Sequence, residues 1–451
     1  MLKNNQYIRE YQVDISDLSP SEKRVFTKLV EAARLVGPLY AKQLTSLYPK
    51  GITKEELEAV ALKDPAILDP YTVVERKKNG TNLVSVPYHV KFRKDLLPIS
   101  KILKEAAKLS DNKDFSRRLV MQANALIDGS YAAADIYWLS MKPYKLDIVV
   151  GPLDRYDDPF FFKKCSYEAW VGIMNDDMTT DALYFKKLFS VSQKITPTIE
   201  RIDIWDKIQL RVDKTAIFSG FVAKHIFTCS NLPNDAFLIE KYGSEIMFFE
   251  QAINHKFEER HYPIFQNLFH PMFKRSFTKE ELRKAAFRMM IVHELGHPFL
   301  RYRFAEDRLK ELFPIIDEIA PSVVGLKNLG LLFLKDVISQ KELEAILVMF
   351  LCWALDWQEE VAEESSIESF VRGNAIALNF LFSSGALKEQ GGISWANFMK
   401  MFISLDELAE ITEKILASGS YNDAKRIVNT YGSLDIFEKF APAINKFLSK
   451  N

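Results

Sequence analysis

The spacing of apolar positions divides the chain into stretches of two kinds. From residue 18 to 48, Val25, Phe26, Leu29, Val30, Ala33, Leu35 and Val36 recur at helical spacing behind the start signal Ser19-Pro20-Ser21-Glu22. Thr53-Lys54-Glu55-Glu56 is a capping box for a short second helix. Tyr71 to Arg76 and Asn82 to Val86 are rich in Val and Thr, and Asn79-Gly80 between them predicts a hairpin. Residues 97–127 return to helix, followed by a short helix from Tyr131 to Ser140.

The pattern changes near Lys145. Leu146–Val150, Tyr167–Ile173, Ile202–Val212, Ile217–Val222, His225–Cys229 and Ile246–Phe249 read as strands, with Met178–Leu188 as a helical excursion. That many strands in about a hundred residues suggest a curved sheet or small barrel. From Thr278 onward the chain reads as helical: Thr278-Lys279-Glu280-Glu281 caps one helix, and others are expected over 305–318, 324–337, 340–357, 359–382, 394–416, 421–430 and 434–449. The expected class is α+β. A mostly helical N-terminal part with a hairpin (1–145) packs on a β-rich part (146–265), and together they form a mixed lobe. A mostly α-helical lobe (266–451) follows.

Composition narrows this picture. The 451 residues are 48% hydrophobic and 27% charged, as in a soluble globular protein with more than one core. Sixty basic and sixty acidic side chains cancel, which gives no electrostatic reason to expect nucleic acid or an anionic membrane as partner. Cys165, Cys229 and Cys352 are few and far apart, so neither a disulfide framework nor a CxxC metal pair is expected. With no apolar signal segment at the start, a cytoplasmic setting is expected. The longest apolar run, Ala345 to Leu355, is too short to span a bilayer. Oligomeric state is not legible.

The chemistry is concentrated in His293-Glu294-Leu295-Gly296-His297. Two histidines four apart share one helix face, and a glutamate after the first is the usual general base of a zinc peptidase. Pro298 stops the helix. Two ligands do not complete a zinc site, so the motif calls for a third. The acidic segment Gln358–Phe370 is the expected source: Glu360, Glu364 and Glu368 form one stripe at spacing four, and Glu359 and Glu363 a neighbouring one. A solvated acidic face is the plainer reading of such a segment. His225, His255, His261 and His270 lack metal spacing and are expected to be structural.

Four stretches, in this order, resemble the dipeptidyl peptidase III family of zinc peptidases, and more closely its short bacterial relatives. They are Val150-Gly-Pro-Leu-Asp-Arg-Tyr-Asp-Asp-Pro159 with Tyr167-Glu-Ala-Trp-Val-Gly172; Asn231-Leu-Pro-Asn234; the motif His293–His297; and Glu363-Glu364-Ser-Ser-Ile-Glu368, which is similar to the family's Glu-Glu-Cys-Arg-Ala-Glu block. The resemblance spans roughly residues 120–440 and implies two lobes across a wide cleft. It implies one Zn2+ per chain held by His293, His297 and Glu364, with Glu368 as a hydrogen-bond partner behind the ligands. It also implies Glu294 as general base, Tyr156 as stabiliser of the tetrahedral intermediate, Asp154 as anchor for the substrate's free amine, and Asn231 and Asn234 as backbone binders. From the residues alone, Tyr156, Asp154 and the two asparagines would be ordinary turn residues. The chain departs from the family in three ways: one residue fewer between the histidines, Ser-Ser-Ile for Cys-Arg-Ala, and no histidine after His297.

The function expected is a zinc metallopeptidase releasing short units, dipeptides foremost, from the N-terminus of an oligopeptide substrate. The alternatives are a catalytically weak or inactive zinc-stabilised peptide-binding protein and a zinc hydrolase of a non-peptide amide.

Overall fold

The computed structural model describes residues 6–77, 82–190, 197–357, 368–395 and 397–448. The chain forms two compact units: residues 1–176 with 209–251, and residues 177–208 with 252–451. The helical excursion near Met178 falls in the second unit.

The first unit is built on a six-stranded sheet. Its strands are β1 (Ile8–Glu10), β4 (Leu146–Asp154), β5 (Ser166–Met174), β6 (Ile208–Gly220), β7 (Cys229–Leu232) and β8 (Ser244–Phe249). The order is β4-β5-β6-β8-β7, with β1 paired along the end of β6. The separate hairpin β2 (Thr72–Arg76) and β3 (Leu83–Pro87) forms as expected, while its Asn79-Gly80 turn lies outside the described residues. β4, β5 and β6 run antiparallel in succession, with register shifts at Pro152/Asp154 and Val171/Gly172. Such irregularities bend and twist a sheet, and this one curls into a half-barrel. The helices Pro20–Arg34, Arg93–Leu109 and Lys113–Asp128 bury Leu29, Leu103 and Leu119 in one core with Ile148, Val150 and Val171. The sheet also carries buried charge: Arg118 of the helix Lys113–Asp128 pairs with Asp147, and Arg211 with Asp213 at 2.6 Å.

Three strand expectations shift. Residues 202–207 are irregular with a 3-10 turn at Trp205–Lys207, and a single strand then runs unbroken from Ile208 to Gly220. Residues Phe221–His225 form a helical turn, so the next strand begins at Cys229.

The second unit is helical. Thr278 and Glu281 form the expected capping box at the start of the helix Lys279–Gly296. Ala285–Phe287 and Met289–Gly296 are all buried, the signature of a helix enclosed on every side. The α-helix ends at Gly296, and His297–Leu300 continue as a 3-10 turn around Pro298. Instead of two helices at 305–318 and 324–337, short turns lead into one helix, Phe313–Leu334, which runs straight through Pro321. Proline removes only one ladder hydrogen bond, and the buried Ile315, Ile316, Ile319, Val323 and Val324 keep the segment packed on both sides of it. No helix among the described residues is long and apolar enough to cross a membrane.

Two glycines let the motif helix and the Phe313–Leu334 helix touch backbone to backbone. A Cβ on Gly296 would lie 2.3 Å from the Pro321 carbonyl oxygen, and one on Gly325 2.4 Å from that of Val292. This close crossing brings residues 318 and 322 beside residue 293.

Candidate functional site

His293 and His297 sit one turn apart with ring centroids 5.0 Å from each other. Among the described residues, the carboxylate that meets them comes from Glu318: His293, His297 and Glu318 each offer a ligand atom, all within 4.8 Å of one another. His293 Nε2 is 3.9 Å from Glu318 Oε2 and 3.8 Å from Glu294 Oε1. On the other side of the ring, His293 Nδ1 is 2.8 Å from Ser322 Oγ. With the proton on Nδ1 donated to that hydroxyl, the Nε2 lone pair faces Glu318. This is the arrangement by which an outer hydrogen bond fixes a ligand tautomer. Trp353 packs against the same imidazole, with centroids 5.4 Å apart.

Burial holds these groups away from their charged forms. Burial depresses His293 to about 4 and His297 well below its ordinary value, so both rings are neutral, as metal ligation requires. Burial pushes Glu318 well above the usual carboxylate range, with the charges of Asp317 and Glu294 adding to the effect. Burial likewise lifts Asp317 to about 6, opposed by Arg301. Glu318 Oε2 is buried with no hydrogen-bond partner. Three acids and two neutral imidazoles around one buried guanidinium form a donor set that a divalent ion would satisfy. The residues present fit zinc: two imidazoles and a carboxylate leave one position of a tetrahedron open.

Glu318 was not singled out from the sequence. Glu364, the expected third ligand, lies outside the described residues, as do Glu359, Glu360 and Glu363. Glu368 is described; it is exposed, starts the helix Glu368–Ser383 and pairs with Arg372 at 2.6 Å. The signal for Glu318 was an acid pair, Asp317-Glu318, inside an otherwise apolar helix.

In the first unit, the substrate residues expected from the sequence converge around the end of β4. Asn234 Nδ2 donates to Asp154 Oδ1 and to the Leu153 carbonyl, both at 3.1 Å. Arg155 donates to the Asn234 carbonyl at 3.4 Å. Tyr156 stacks on Phe221 and Phe227, with centroids 5.9 and 6.1 Å apart. Asn231 lies in β7 opposite Ile246, and its buried Oδ1 lacks a partner. Asp157 and Asp158 fix the loop beyond. Asp157 accepts from Tyr40 (2.6 Å) and Ser166 (3.0 Å), and Asp158 accepts from backbone amides up to Lys164. Burial raises Asp154 to about 6, moderated by the hydrogen bonds from Asn234 and Glu168.

No protein-family model matches the sequence. The chain is 24% identical over 428 residues to the curated protein Nudix hydrolase 3 of Arabidopsis thaliana, a match covering 88% of this chain and 54% of that protein. The chain therefore spans about half the length of this curated relative. Solved structures share its fold, among them two dipeptidyl peptidase III structures. Dipeptidyl peptidase III from Caldithrix abyssi has a TM-score of 0.82 at 21% identity, covering 96% of this chain and 94% of that one. The enzyme from Corallococcus sp. strain EGB has a TM-score of 0.79 at 20% identity, covering 98% and 92%.

Proposed function

We propose that this chain, which has the fold of the dipeptidyl peptidase III structures, is a zinc-dependent peptidase that removes dipeptides from the N-terminus of oligopeptides. The observation that carries the reading is the meeting of His293, His297 and Glu318 beside the carboxylate of Glu294. His293, His297 and Glu318 would hold one zinc ion. When bound, zinc lowers the pKa of a coordinated water toward neutrality and polarises a carbonyl.

The remaining steps belong to the protein. Glu294 takes the proton of the attacking water and returns it to the leaving amine. The Tyr156 hydroxyl donates to the oxygen that becomes negative as the peptide carbonyl is attacked. Asp154 pairs with the substrate's terminal ammonium, which makes the enzyme an exopeptidase. Asn234 holds Asp154 in place, and Asn231 offers its buried amide to the peptide backbone.

The test uses tetra-alanine and its N-acetylated form. The zinc-loaded protein is expected to release dialanine from the free peptide and nothing from the acetylated one, to lose the activity on chelation, and to regain it with zinc. Glu294→Gln should bind peptide and release no product. Peptide binding without cleavage by the zinc-loaded wild type would leave a peptide-binding protein in place of the enzyme. Cleavage of the acetylated peptide at an equal rate would remove the role given to Asp154.

A further inference from the structure

Asp154 has a second carboxyl beside it that the reaction described above does not use. Glu168 lies on the central strand β5, is 1% exposed, and faces Gly151 of β4 and Gly220 of β6. Gly220 has φ +76, and a Cβ there would lie 2.2 Å from the Tyr167 carbonyl oxygen, so the sheet closes tightly over Glu168. The register shift between Pro152 and Asp154 takes the Asp154 amide out of the ladder, and that amide donates to Glu168 Oε1 at 3.2 Å. Asn234 grips the same irregularity from outside, through the Leu153 carbonyl and the Asp154 carboxylate. The two carboxyls lie side by side. Glu168 Oε2 is buried and has no hydrogen-bond partner, so nothing there compensates a negative charge on this carboxyl.

We propose that Glu168 is a positioning residue for the amine end of the substrate: its carboxyl keeps its proton, donates it to Asp154 and accepts the Asp154 amide. The pair then presents one negative charge, in a fixed orientation, to one ammonium. The inference rests on the reading of Asp154 as the amine anchor.

The surroundings agree with a protonated Glu168. Burial pushes it well above the carboxylate range, and the charges of Asp154 and Asp157 push it further. The other charged groups near the pair are Arg155, which lowers Asp154, and Lys224, 3.3 Å from Asp157 and so partly neutralising that residue. Cys165 is lifted to about 12 by burial and stays a neutral thiol.

The experiment measures tetra-alanine and N-acetyl-tetra-alanine binding by calorimetry from pH 5 to 7, in a zinc-loaded Glu294→Gln background. Preference for the free amine should fall as pH drops through about 6, where Asp154 protonates. E168Q keeps an acceptor and a neutral donor, so its midpoint and preference should match those of the parent. E168A removes the donor, so the midpoint should rise by about one unit and the preference fall about tenfold. A merely structural role would not move the midpoint.

If E168Q lowers the midpoint by a unit, Glu168 carries a charge and the proposal is wrong. If E168A leaves midpoint and preference unchanged, Glu168 positions nothing. Should E168A fail to fold, E168L, which removes the donor at similar volume, takes its place with the same expected rise and the same overturning result. Failure of the anchor reading has a different signature: D154N would keep the full preference for the free amine.

Discussion

Ser322 Oγ lies 2.8 Å from Nδ1 of His293, on the same helix as Glu318 and one turn beyond it. One helix therefore supplies both a candidate ligand and the group that orients a second ligand. Ser322→Ala should leave the imidazole buried but free to choose its tautomer. Zinc affinity is expected to fall about 10- to 100-fold, read by competition with a chromogenic chelator, with little change in thermal stability of the metal-free protein. Unchanged affinity would mean that packing alone, including Trp353, sets the ring.

The crossing that makes this possible depends on Gly296. A methyl there would meet the Pro321 carbonyl at 2.3 Å and its Cα at 2.6 Å, and backbone atoms cannot step aside as a flexible side chain can. Gly296→Ala should push the two helices apart, destabilising the protein by about 1–3 kcal/mol. It should also move Glu318 away from the histidines. Thermal unfolding and zinc content should therefore fall together. Loss of stability with full zinc occupancy would show that the crossing does not position the metal ligands.

Much of the architecture was legible in the chain: the capping box at Thr278, the helix start at Ser19, the hairpin strands, the change of character near Lys145, and the placing of His293 and His297 on one helix face. Local signals carry these features. Glu318 was hidden because one expected helix ended at 318 and the next began at 324, on either side of Pro321, which left the acid pair at a helix end. Only long-range packing carries the helix through that proline. The glutamate-rich segment around Glu364 offered more carboxylates and drew the assignment, though acid count says nothing about which acid meets the histidines. Asp154 and Asn234 were legible only through a resemblance, since each alone is an ordinary turn residue. The two positions for the third ligand are separable: Glu318→Ala should abolish stoichiometric zinc binding measured by atomic emission, whereas Glu364→Ala should retain it. The reverse result would return the ligand to the acidic segment.

Stability should depend on pH through Asp135. It lines a small cavity in the first unit with Tyr71, Arg118, Tyr131 and Trp138. Burial raises it to about 7, with Arg118 opposing and Asp235 adding to the shift. A carboxyl whose pKa is raised on folding favours the folded state below its unfolded value near 3.9, and that advantage is lost as pH rises to about 7. Asp135→Asn cannot ionise. Relative to wild type, the variant should gain about 2–4 kcal/mol between pH 4 and pH 7, and nothing more above. Urea unfolding at pH 4.5, 6 and 8 reads this directly. A difference between the two proteins that stays constant across the three pH values would show that Asp135 ionises freely.

Tyr156 separates packing from chemistry cleanly. Its ring stacks on Phe221 at an interplanar angle of 10° and on Phe227 at 25°, and phenylalanine preserves both contacts. Tyr156→Phe therefore removes the hydroxyl and keeps both ring contacts. If that hydroxyl donates to the developing oxyanion, it acts in the transition state and not in the ground state. Then kcat should drop about 100-fold while KM stays within about twofold. Zinc content should not change, because no metal ligand is touched. A kcat within about twofold of wild type would reduce Tyr156 to the aromatic wall it forms with Phe221 and Phe227, and the oxyanion would have to be held by zinc without it.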